Sequence, residues 1–201
     1  MEVNRRSQLA RSAATRAALV LAARDLFAER GFAGVGTEAI VRAAGVTRGA
    51  LYHQFADKTE LFAAVYEAIE QDIARHLGEL IVAAGATDPI EVMRLGANAW
   101  LDACAEQEVQ QIVLIDAPAV LGWQRWREIG MGYGLGLIEG VLAHAIEVGR
   151  IPQQPVPALA HVLVGALDEA ALYVARANDQ TAAREQMRAV IARLVAGLAR
   201  D

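Results

Sequence analysis

The spacing of apolar positions predicts helices from the first third of the chain onward. From Leu19 to Phe27, apolar residues recur three and four positions apart, which is the pattern of a helix with one buried face. Gly31 is expected to end this helix in the left-handed conformation, so that Phe32 folds back and contacts Phe27. The first predicted helix therefore closes with a hydrophobic cap.

Two short helices are predicted next, with a glycine turn between them. Thr37 is a candidate N-cap for a helix that ends at Ala44. Gly45 then forces a turn, and Thr47 is expected to cap the second short helix, over residues 48–55. Helices of two turns that follow each other so closely must pack against a third element, and the preceding helix is the nearest one.

Longer helices are predicted in the remainder of the chain. One begins at Asp57, which forms a capping-box pattern with Glu60, and its apolar stripe continues to about Val82. The Asp-Pro pair at 88–89 starts another helix that reaches about Gln107. Prolines divide the C-terminal half, and helices are expected there near 109–117, 122–148, 157–177 and 179–199. Since no segment shows the period-two alternation of a strand, the predicted fold class is all-α.

The composition is that of a globular protein. Of the 201 residues, 55% are apolar and 21% are charged, which is sufficient for a core. The polar start lacks a secretory signal, and no uninterrupted apolar run approaches the length of a membrane span. A single cysteine, Cys104, excludes an intrachain disulfide and zinc sites with several thiolates. We therefore expect a cytoplasmic protein with no membrane partner, no cofactor and no metal.

The net charge of −5 conceals an uneven distribution. Residues 1–60 contain nine Lys and Arg against six acids, whereas residues 61–201 contain ten Arg against eighteen acids. Such a division suggests a small module that faces an anion and is attached to a larger acidic body.

The two short helices have the geometry of a helix-turn-helix, a motif whose second helix enters the major groove of DNA. Four apolar residues are expected to fix the crossing of the pair: Ile40, Ala44, Val46 and Leu51. Arg48 can then donate to guanine edges or a phosphate, Gly49 allows a close backbone approach, and His53 faces outward. Hydroxyls and one cation near helix N-termini can hold phosphates: Thr37, Thr47, Tyr52 and Lys58.

The stretch from Gly31 to Leu61, which includes Gly45-Val46-Thr47-Arg48-Gly49-Ala50-Leu51-Tyr52-His53, closely resembles the DNA-binding domain of the TetR family of bacterial transcriptional regulators. The resemblance extends over roughly residues 14–65. It implies an all-helical homodimer that binds a palindromic operator, usually represses transcription, and releases DNA when a small molecule enters the C-terminal domain. It also implies a helix-turn-helix domain at 1–56 and a ligand-binding and dimerisation domain at 57–201.

The resemblance assigns roles to individual residues. Thr37, Thr47, Tyr52 and Lys58 match positions that commonly hold the DNA backbone, while Thr47, Arg48, Gly49 and His53 match positions near the bases. Gln54 stands where the family often has His or Tyr in contact with phosphate, and it can still donate a hydrogen bond. The last two helices would pair with those of a second copy in a four-helix interface. The candidate interface residues are Leu159, Val162, Leu163, Ala166, Leu167, Ala170, Met187, Val190, Ile191 and Leu194.

Aromatic and methionine side chains in the C-terminal part are candidates for a largely apolar effector pocket, although the same residues at helical spacing also form ordinary cores. Asp116 either recognises a polar group of the effector or caps the following turn, and Cys104 is either a sensor thiol or a small buried residue. The candidate pocket residues are Met93, Trp100, Cys104, Asp116, Trp123, Trp126, Met131 and Tyr133.

Two other functional classes remain as alternatives, a small helical-bundle enzyme and a helical partner-binding protein. An enzyme has few nucleophiles available, because Ser7 and Ser12 are the only serines and Lys58 is the only lysine. The four histidines show no metal-ligand spacing. At the N-terminus, Arg5, Arg6 and Arg11 form either a solvated tail or an arm that enters the minor groove.

Overall fold

The computed structural model describes the backbone of residues 2–199 and the side chains of residues 8–199. Every regular element in this part of the chain is helical, which confirms the all-α prediction. The elements are α1 (Glu2–Arg30), α2 (Thr37–Ala43), α3 (Arg48–Gln54), α4 (Lys58–Ala84), α5 (Pro89–Ala103), α6 (Gln107–Val109) with its π-helical continuation Gln110–Asp116, α7 (Ala117–Glu147), α8 (Val156–Arg176) and α9 (Gln180–Ala196).

The predicted helix ends are confirmed where a local cap defines them. Gly31 has a φ of +68°, and the Phe32 ring lies 5.7 Å from that of Phe27 between centroids. The Ala50 amide donates to Thr47 Oγ1 at 3.2 Å. The Glu60 amide donates to Asp57 Oδ1 at 2.9 Å, although the Glu60 carboxylate pairs with an arginine instead of closing the capping box.

Three predicted boundaries were wrong, and one of them is the end of α5, which lies at Ala103 and not near Gln107. The N-cap of α2 is Gly36, in an extended conformation with φ −90° and ψ 156°, so Thr37 is the first helical residue and not the cap. Glycine tolerates the N-cap position almost as well as the usual polar residues. The third error concerns α1, which begins at Glu2 and so includes Arg5, Arg6 and Arg11, which were expected to form a solvated tail or a minor-groove arm. The side chains of Arg5 and Arg6 lie outside the described residues.

The chain forms two compact units. The first contains Met1–Ile69 and Gln107–Trp126, and the second contains Glu70–Glu106 and Arg127–Asp201. The predicted domains, 1–56 and 57–201, assign functions to segments and remain predictions. The compact units divide the chain elsewhere, because the first half of α4 and the 107–126 segment pack with the N-terminal helices.

The core of the first unit is built on α1, α2, α3 and the start of α4. Leu19, Phe27, Ile40 and Leu51 are fully buried on the first three helices. Phe62 on α4 meets the rings of Phe27 and Phe32 edge-on, at centroid distances of 5.3 and 5.2 Å. Edge-on pairs of this kind add to the stabilisation from buried area. The two short helices are therefore held on a rigid aromatic base.

The 107–126 segment is joined to this base by three of its side chains and one of its main-chain carbonyls. Arg24 makes two hydrogen bonds of 2.7 Å to Glu108, and the Phe32 amide donates to Asp116 at 2.7 Å. Arg125 binds Glu60 through both nitrogens at 2.6 and 2.9 Å, and the Tyr66 hydroxyl donates to the Trp126 carbonyl at 3.1 Å. Within the segment, π-helical turns are followed by a kink at Gly122, where φ is +77° and ψ is 158°. Both features are recognised points of deformation in helices.

The second unit contains two apolar clusters. Leu101 and Ala97 of α5 pack with Ala170 of α8 and with Ile191 and Val195 of α9. Leu142 and Ala145 of α7 pack with Ile151 and Ala160, and Met93 borders both clusters. An ion pair between Arg127 and Asp168 lies at the edge of this interior, with about a fifth of each side chain exposed.

Two stretches, Gln107–Glu147 and Val156–Arg176, are long and apolar enough to cross a membrane by length and composition alone. Core helices of globular proteins satisfy the same criterion. The first stretch is broken by the kink at Gly122, and the second carries Asp168 and Glu169 in its interior. Ionised residues in a membrane span are costly, so neither stretch is a strong candidate for one.

We predict that Asp168 makes the second unit less stable as pH rises from 4 to 7. Burial raises the pKa of Asp168 to about 6, despite the opposing effect of Arg127. The folded state therefore holds a proton that the unfolded state releases near pH 4, and the free energy of unfolding falls through this window. The difference in unfolding free energy between wild type and Asp168→Asn should fall by on the order of 2 kcal/mol from pH 4 to pH 7, measured by urea denaturation.

Asp102→Asn is the matched control, because Asp102 is an exposed carboxylate paired with arginine in the same unit. A difference between wild type and Asp168→Asn that stays constant over this pH range, or that Asp102→Asn reproduces, would contradict the assignment.

Candidate nucleic-acid interface

The helix pair α2–α3 has the tight turn that its sequence predicts. Gly45 has a φ of +66°, and the Val46 amide donates to the Val41 carbonyl at 3.0 Å, which closes α2. Ile40 and Leu51 are fully buried, while Ala44 and Val46 are partly buried. The four predicted residues thus form the small core that sets the crossing of the two helices, and the opposite face of α3 is left to solvent.

The exposed face of α3 carries the predicted base-reading residues. Arg48, Gly49, Tyr52 and His53 are all exposed. The Arg48 guanidinium lies 5.6 Å from the centre of the Tyr52 ring and 3.2 Å from a carboxylate oxygen of Glu38 on α2. Tyr52 first, and then Glu38, raise the pKa of Arg48 above its usual value, so the guanidinium stays charged. The surface therefore presents a fixed cation that is partly neutralised by its own protein.

The two threonines lie at the N-termini of the short helices, as the phosphate-binding prediction requires. Thr47 caps α3, and its hydroxyl proton is still available to a phosphate because the oxygen acts as acceptor in the cap. Thr37 is the first residue of α2 and is partly buried, with its hydroxyl 3.5 Å from Glu38 Oε2. Both residues remain candidates for backbone contacts.

Lys58 and Gln54 have partners within the protein. The Lys58 ammonium donates to the carbonyls of Phe32 and Val35, each at 2.9 Å, and lies 3.9 Å from the centre of the Phe32 ring. Since an ammonium has three donors, a phosphate contact would use the third. The Gln54 amide donates to Ser12 Oγ of α1 at 2.8 Å. Both side chains thus organise the interface itself, whatever they do toward DNA.

The candidate pocket residues are divided between the two units. Asp116, Trp123 and Trp126 belong to the first, and Met93, Trp100, Cys104, Met131 and Tyr133 belong to the second. Asp116 accepts the Phe32 amide, so its carboxylate has a structural partner. The Trp100 indole donates to the Leu167 carbonyl at 3.3 Å. Burial raises the pKa of Cys104 well above its usual value, which keeps the sulfur a thiol rather than a reactive thiolate.

The candidate dimer residues fall into three groups by exposure. Val162, Val190 and Leu194 are exposed apolar side chains on α8 and α9. Ala170 and Ile191 are buried in the core cluster with Leu101, so their surface is already covered within the protomer. The others are partly buried: Leu159, Leu163, Ala166, Leu167 and Met187.

Sequence reasoning missed the side chains that support the interface from a distance. Ser12 and Arg16 of α1 reach the end of α3, and Glu38 pairs with Arg48 across the helix turn. Glu60 and Arg125 are 65 positions apart. A pattern read along one helix contains no signal for such contacts.

Comparisons with known proteins agree with this geometry. Residues 19–65 match the family described as "Bacterial regulatory proteins, tetR family", and residues 90–198 match "Tetracyclin repressor-like, C-terminal domain". The second match alone spans more than half of the chain. The TetC protein of transposon Tn10 from Escherichia coli is 24% identical over 162 residues, which are 81% of each chain. The transcriptional regulator AcrR of Shigella flexneri is 39% identical over 83 residues, or 40% of this chain and 37% of AcrR.

A solved structure is similar over nearly the whole length. The crystal structure of a TetR-family transcriptional regulator from Pectobacterium atrosepticum superposes with a TM-score of 0.83 and 34% sequence identity, covering 96% of this chain and 97% of that one. With the helix-turn-helix geometry and the two family matches, this shows that the chain belongs to the TetR family and is a DNA-binding transcriptional regulator.

Proposed function

We propose that the protein is a repressor that binds a palindromic operator as a homodimer and leaves it when a small, largely apolar molecule binds. The observation that carries the proposal is the exposed Arg48–Tyr52–His53 face on a short helix whose opposite face is locked by Leu51. A dimer presents two such helices to successive major grooves about 34–36 Å apart. Two-fold symmetry of the protein then requires a palindromic site.

In this proposal Arg48 and His53 contact base edges, and Gly49 brings the backbone of α3 close to DNA. Thr37, Thr47 and Tyr52 hold phosphates, and Lys58 adds a phosphate contact through its remaining donor. Gln54 is bound to Ser12 and contributes by fixing α3 against α1. The cytoplasm, where bacterial DNA lies, is the proposed location.

The homodimer proposal is supported by apolar surface that the protomer leaves open on its last two helices. Val162 of α8 is 67% exposed and Leu194 of α9 is 53% exposed, in a chain where most large apolar residues are covered. Val190 is also exposed on α9, four residues before Leu194 and therefore on the same helix face. A second copy that pairs α8 and α9 with these helices would remove this surface from water.

The effector proposal is supported by an unsatisfied donor in the 107–126 segment. Trp126 is only 3% exposed, and within the described part of the chain its indole N–H has no acceptor. A buried donor without a partner is costly, so a bound molecule with a hydrogen-bond acceptor gains affinity there. The Trp123 ring, 4.9 Å away between centroids and largely exposed, offers an apolar surface. Arg125 has three carboxylates near it, Glu60, Glu67 and Asp57, so an uncharged molecule is favoured over an anion.

DNA is released if the effector binds more tightly to a second arrangement of the 107–126 segment. The Trp126 carbonyl binds Tyr66 of α4, and the adjacent Arg125 binds Glu60 in the first turn of α4. A shift of Trp126 therefore acts on the same helix that supports α3 through the aromatic base. A ligand changes the equilibrium only by its differential affinity for the two arrangements.

The proposal is tested first by DNA selection. The purified protein should retain from genomic DNA, at physiological salt, fragments that share one palindrome. Arg48→Ala should lower the preference for that palindrome over a random-sequence duplex at least about tenfold, because it removes a base contact. Tyr52→Ala should weaken binding to both duplexes by a similar factor, because it removes a phosphate contact. Affinities are measured by fluorescence anisotropy, and thermal unfolding confirms that the variants fold.

Arg94→Ala is the control, since it removes an exposed arginine from the second unit. Retention of DNA without a shared sequence would reduce the protein to a non-specific binder, and an unchanged preference in Arg48→Ala would contradict the assignment of Arg48 to a base contact.

Glu38→Gln should bind a random-sequence duplex more tightly at low salt, by about threefold. The change removes a negative charge that faces the phosphates and releases Arg48 from its ion pair, which is exposed and therefore weak. Glu79→Gln is the matched control, because Glu79 is an equally exposed partner of an arginine on α4. Equal effects of the two variants would show that only net charge matters and that Glu38 does not lie at the interface.

Trp126→Phe should abolish the preference for ligands that carry an acceptor. Acetophenone and ethylbenzene differ only by a carbonyl in place of a methylene, and wild type should bind acetophenone roughly fivefold more tightly. The indole proton resonance of Trp126 should move downfield with acetophenone only. Trp100→Phe is the control, because the Trp100 indole already has an acceptor. Equal affinity for the two probes, or a preference that survives Trp126→Phe, would place the effector elsewhere.

A further inference from the structure

The N-terminal half of α1 extends beyond the core that the rest of the helix helps to form. The fully buried residues of α1 are Leu19, Ala23 and Phe27, all in its second half. Of residues 8–17, only Ser12 and Thr15 are partly covered, and the remaining side chains are exposed. At 1.5 Å per residue, these ten residues alone form about 15 Å of helix. We call residues 8–16 the α1 ridge.

Two contacts hold the α1 ridge beside the C-terminal end of the recognition helix α3. Ser12 Oγ accepts a hydrogen bond of 2.8 Å from the Gln54 amide. The Arg16 guanidinium carbon lies 4.3 Å from the centre of the Phe55 ring, and Phe55 is the buried C-cap of α3. Ser12 and Arg16 are four residues apart and share one helix face. This face is thus fixed against α3, at a place where hydrophobic packing does not require it.

The charge of this part of α1 is entirely positive. Between residues 3 and 24 the sequence has five arginines and no acid. Arg11 and Arg16 belong to the ridge, and both are exposed. A guanidinium that stacks on an aromatic ring keeps the N–H donors of its edge available for a planar anion such as phosphate. A helix face with exposed arginines that adjoins a recognition helix is complementary to the sugar-phosphate strand that borders the major groove.

We propose that the α1 ridge is a second DNA-contacting element, which binds backbone phosphates through Arg11 and Arg16 and is positioned by the Ser12–Gln54 hydrogen bond. The proposal rests on the DNA binding argued above and adds a surface outside the helix-turn-helix. An α-helix is about 10–12 Å across and the minor groove is about 6 Å wide, so the ridge contacts the backbone and does not enter the minor groove. Gln54 is a positioning residue in this arrangement.

The first test is the salt dependence of binding by the full-length protein. The probes are a duplex with the selected palindrome and a random-sequence duplex. The slope of the logarithm of the binding constant against the logarithm of salt concentration falls by about 0.9 for each phosphate that the protein no longer neutralises. Arg11→Ala/Arg16→Ala removes four arginines from a dimer and should therefore reduce the magnitude of the slope by up to about 3.6. It should lower the affinity for both probes by the same factor. The preference for the palindrome should not change.

The control is Arg75→Ala/Arg94→Ala, which removes the same charge from exposed positions on α4 and α5. A slope that is unchanged in the ridge variant, or reduced equally in the control, overturns the proposal. A palindrome preference that falls along with affinity also overturns it, because a backbone contact carries no base information. If wild type itself has no preference for any sequence, the proposed function fails instead.

Ser12→Ala separates the positioning role of Gln54 from direct phosphate binding. It removes the acceptor for the Gln54 amide at a partly exposed helical position, where alanine favours the helix. If the hydrogen bond positions the ridge, affinity and salt slope both decrease, and Ser12→Thr restores them by keeping a hydroxyl. If Gln54 binds phosphate itself, the alanine variant frees it and affinity stays the same or increases, which contradicts the proposal.

Discussion

The conformation of Gly31 is the constraint on which the first unit depends. A side chain there would be strained at a φ of +68°, and its Cβ would lie 3.2 Å from Gln111 and 3.4 Å from Asp116. With glycine, α1 ends abruptly and Phe32 joins Phe27 and Phe62 in one aromatic group. The same loop then offers its carbonyls to Lys58 and the Phe32 amide to Asp116. One backbone turn thereby joins α1, α4 and the 107–126 segment.

Caps and helix faces were predictable because the residues that define them are close in sequence. Gly31, Thr47 and Asp57 each act within four positions of themselves. The start of α1 was not found, since residues 8–18 bury no stripe and periodicity cannot detect an exposed helix, although their alanine content favours one. Contacts such as Phe32 with Asp116, 84 positions apart, depend on packing that only the folded chain specifies.

The interface was predicted better as a location than as a set of contacts. Sequence spacing predicts which face of α3 is open, because Leu51 and Phe55 must be buried. It does not indicate that Gln54 and Lys58 already have partners, since a polar residue near a helix end looks the same whether it binds protein or phosphate. It also misses Glu38, whose carboxylate reduces the positive field at Arg48. Gln54 and Lys58 therefore contribute to the interface by fixing its helices in position.

The aromatic group and the ionic contacts around it differ in how easily they can be rearranged. This difference suggests how the first unit can be rigid and still respond to an effector. Phe27, Phe62 and Leu51 are fully buried, and displacing them would open cavities that are costly. The Arg125–Glu60 pair is about 40% exposed, and exposed pairs contribute little net stability. Such a pair can be exchanged for contacts with water at small cost. In the release proposed above, the 107–126 segment, already bent at Gly122, changes position and acts on α4 while the aromatic packing itself stays intact.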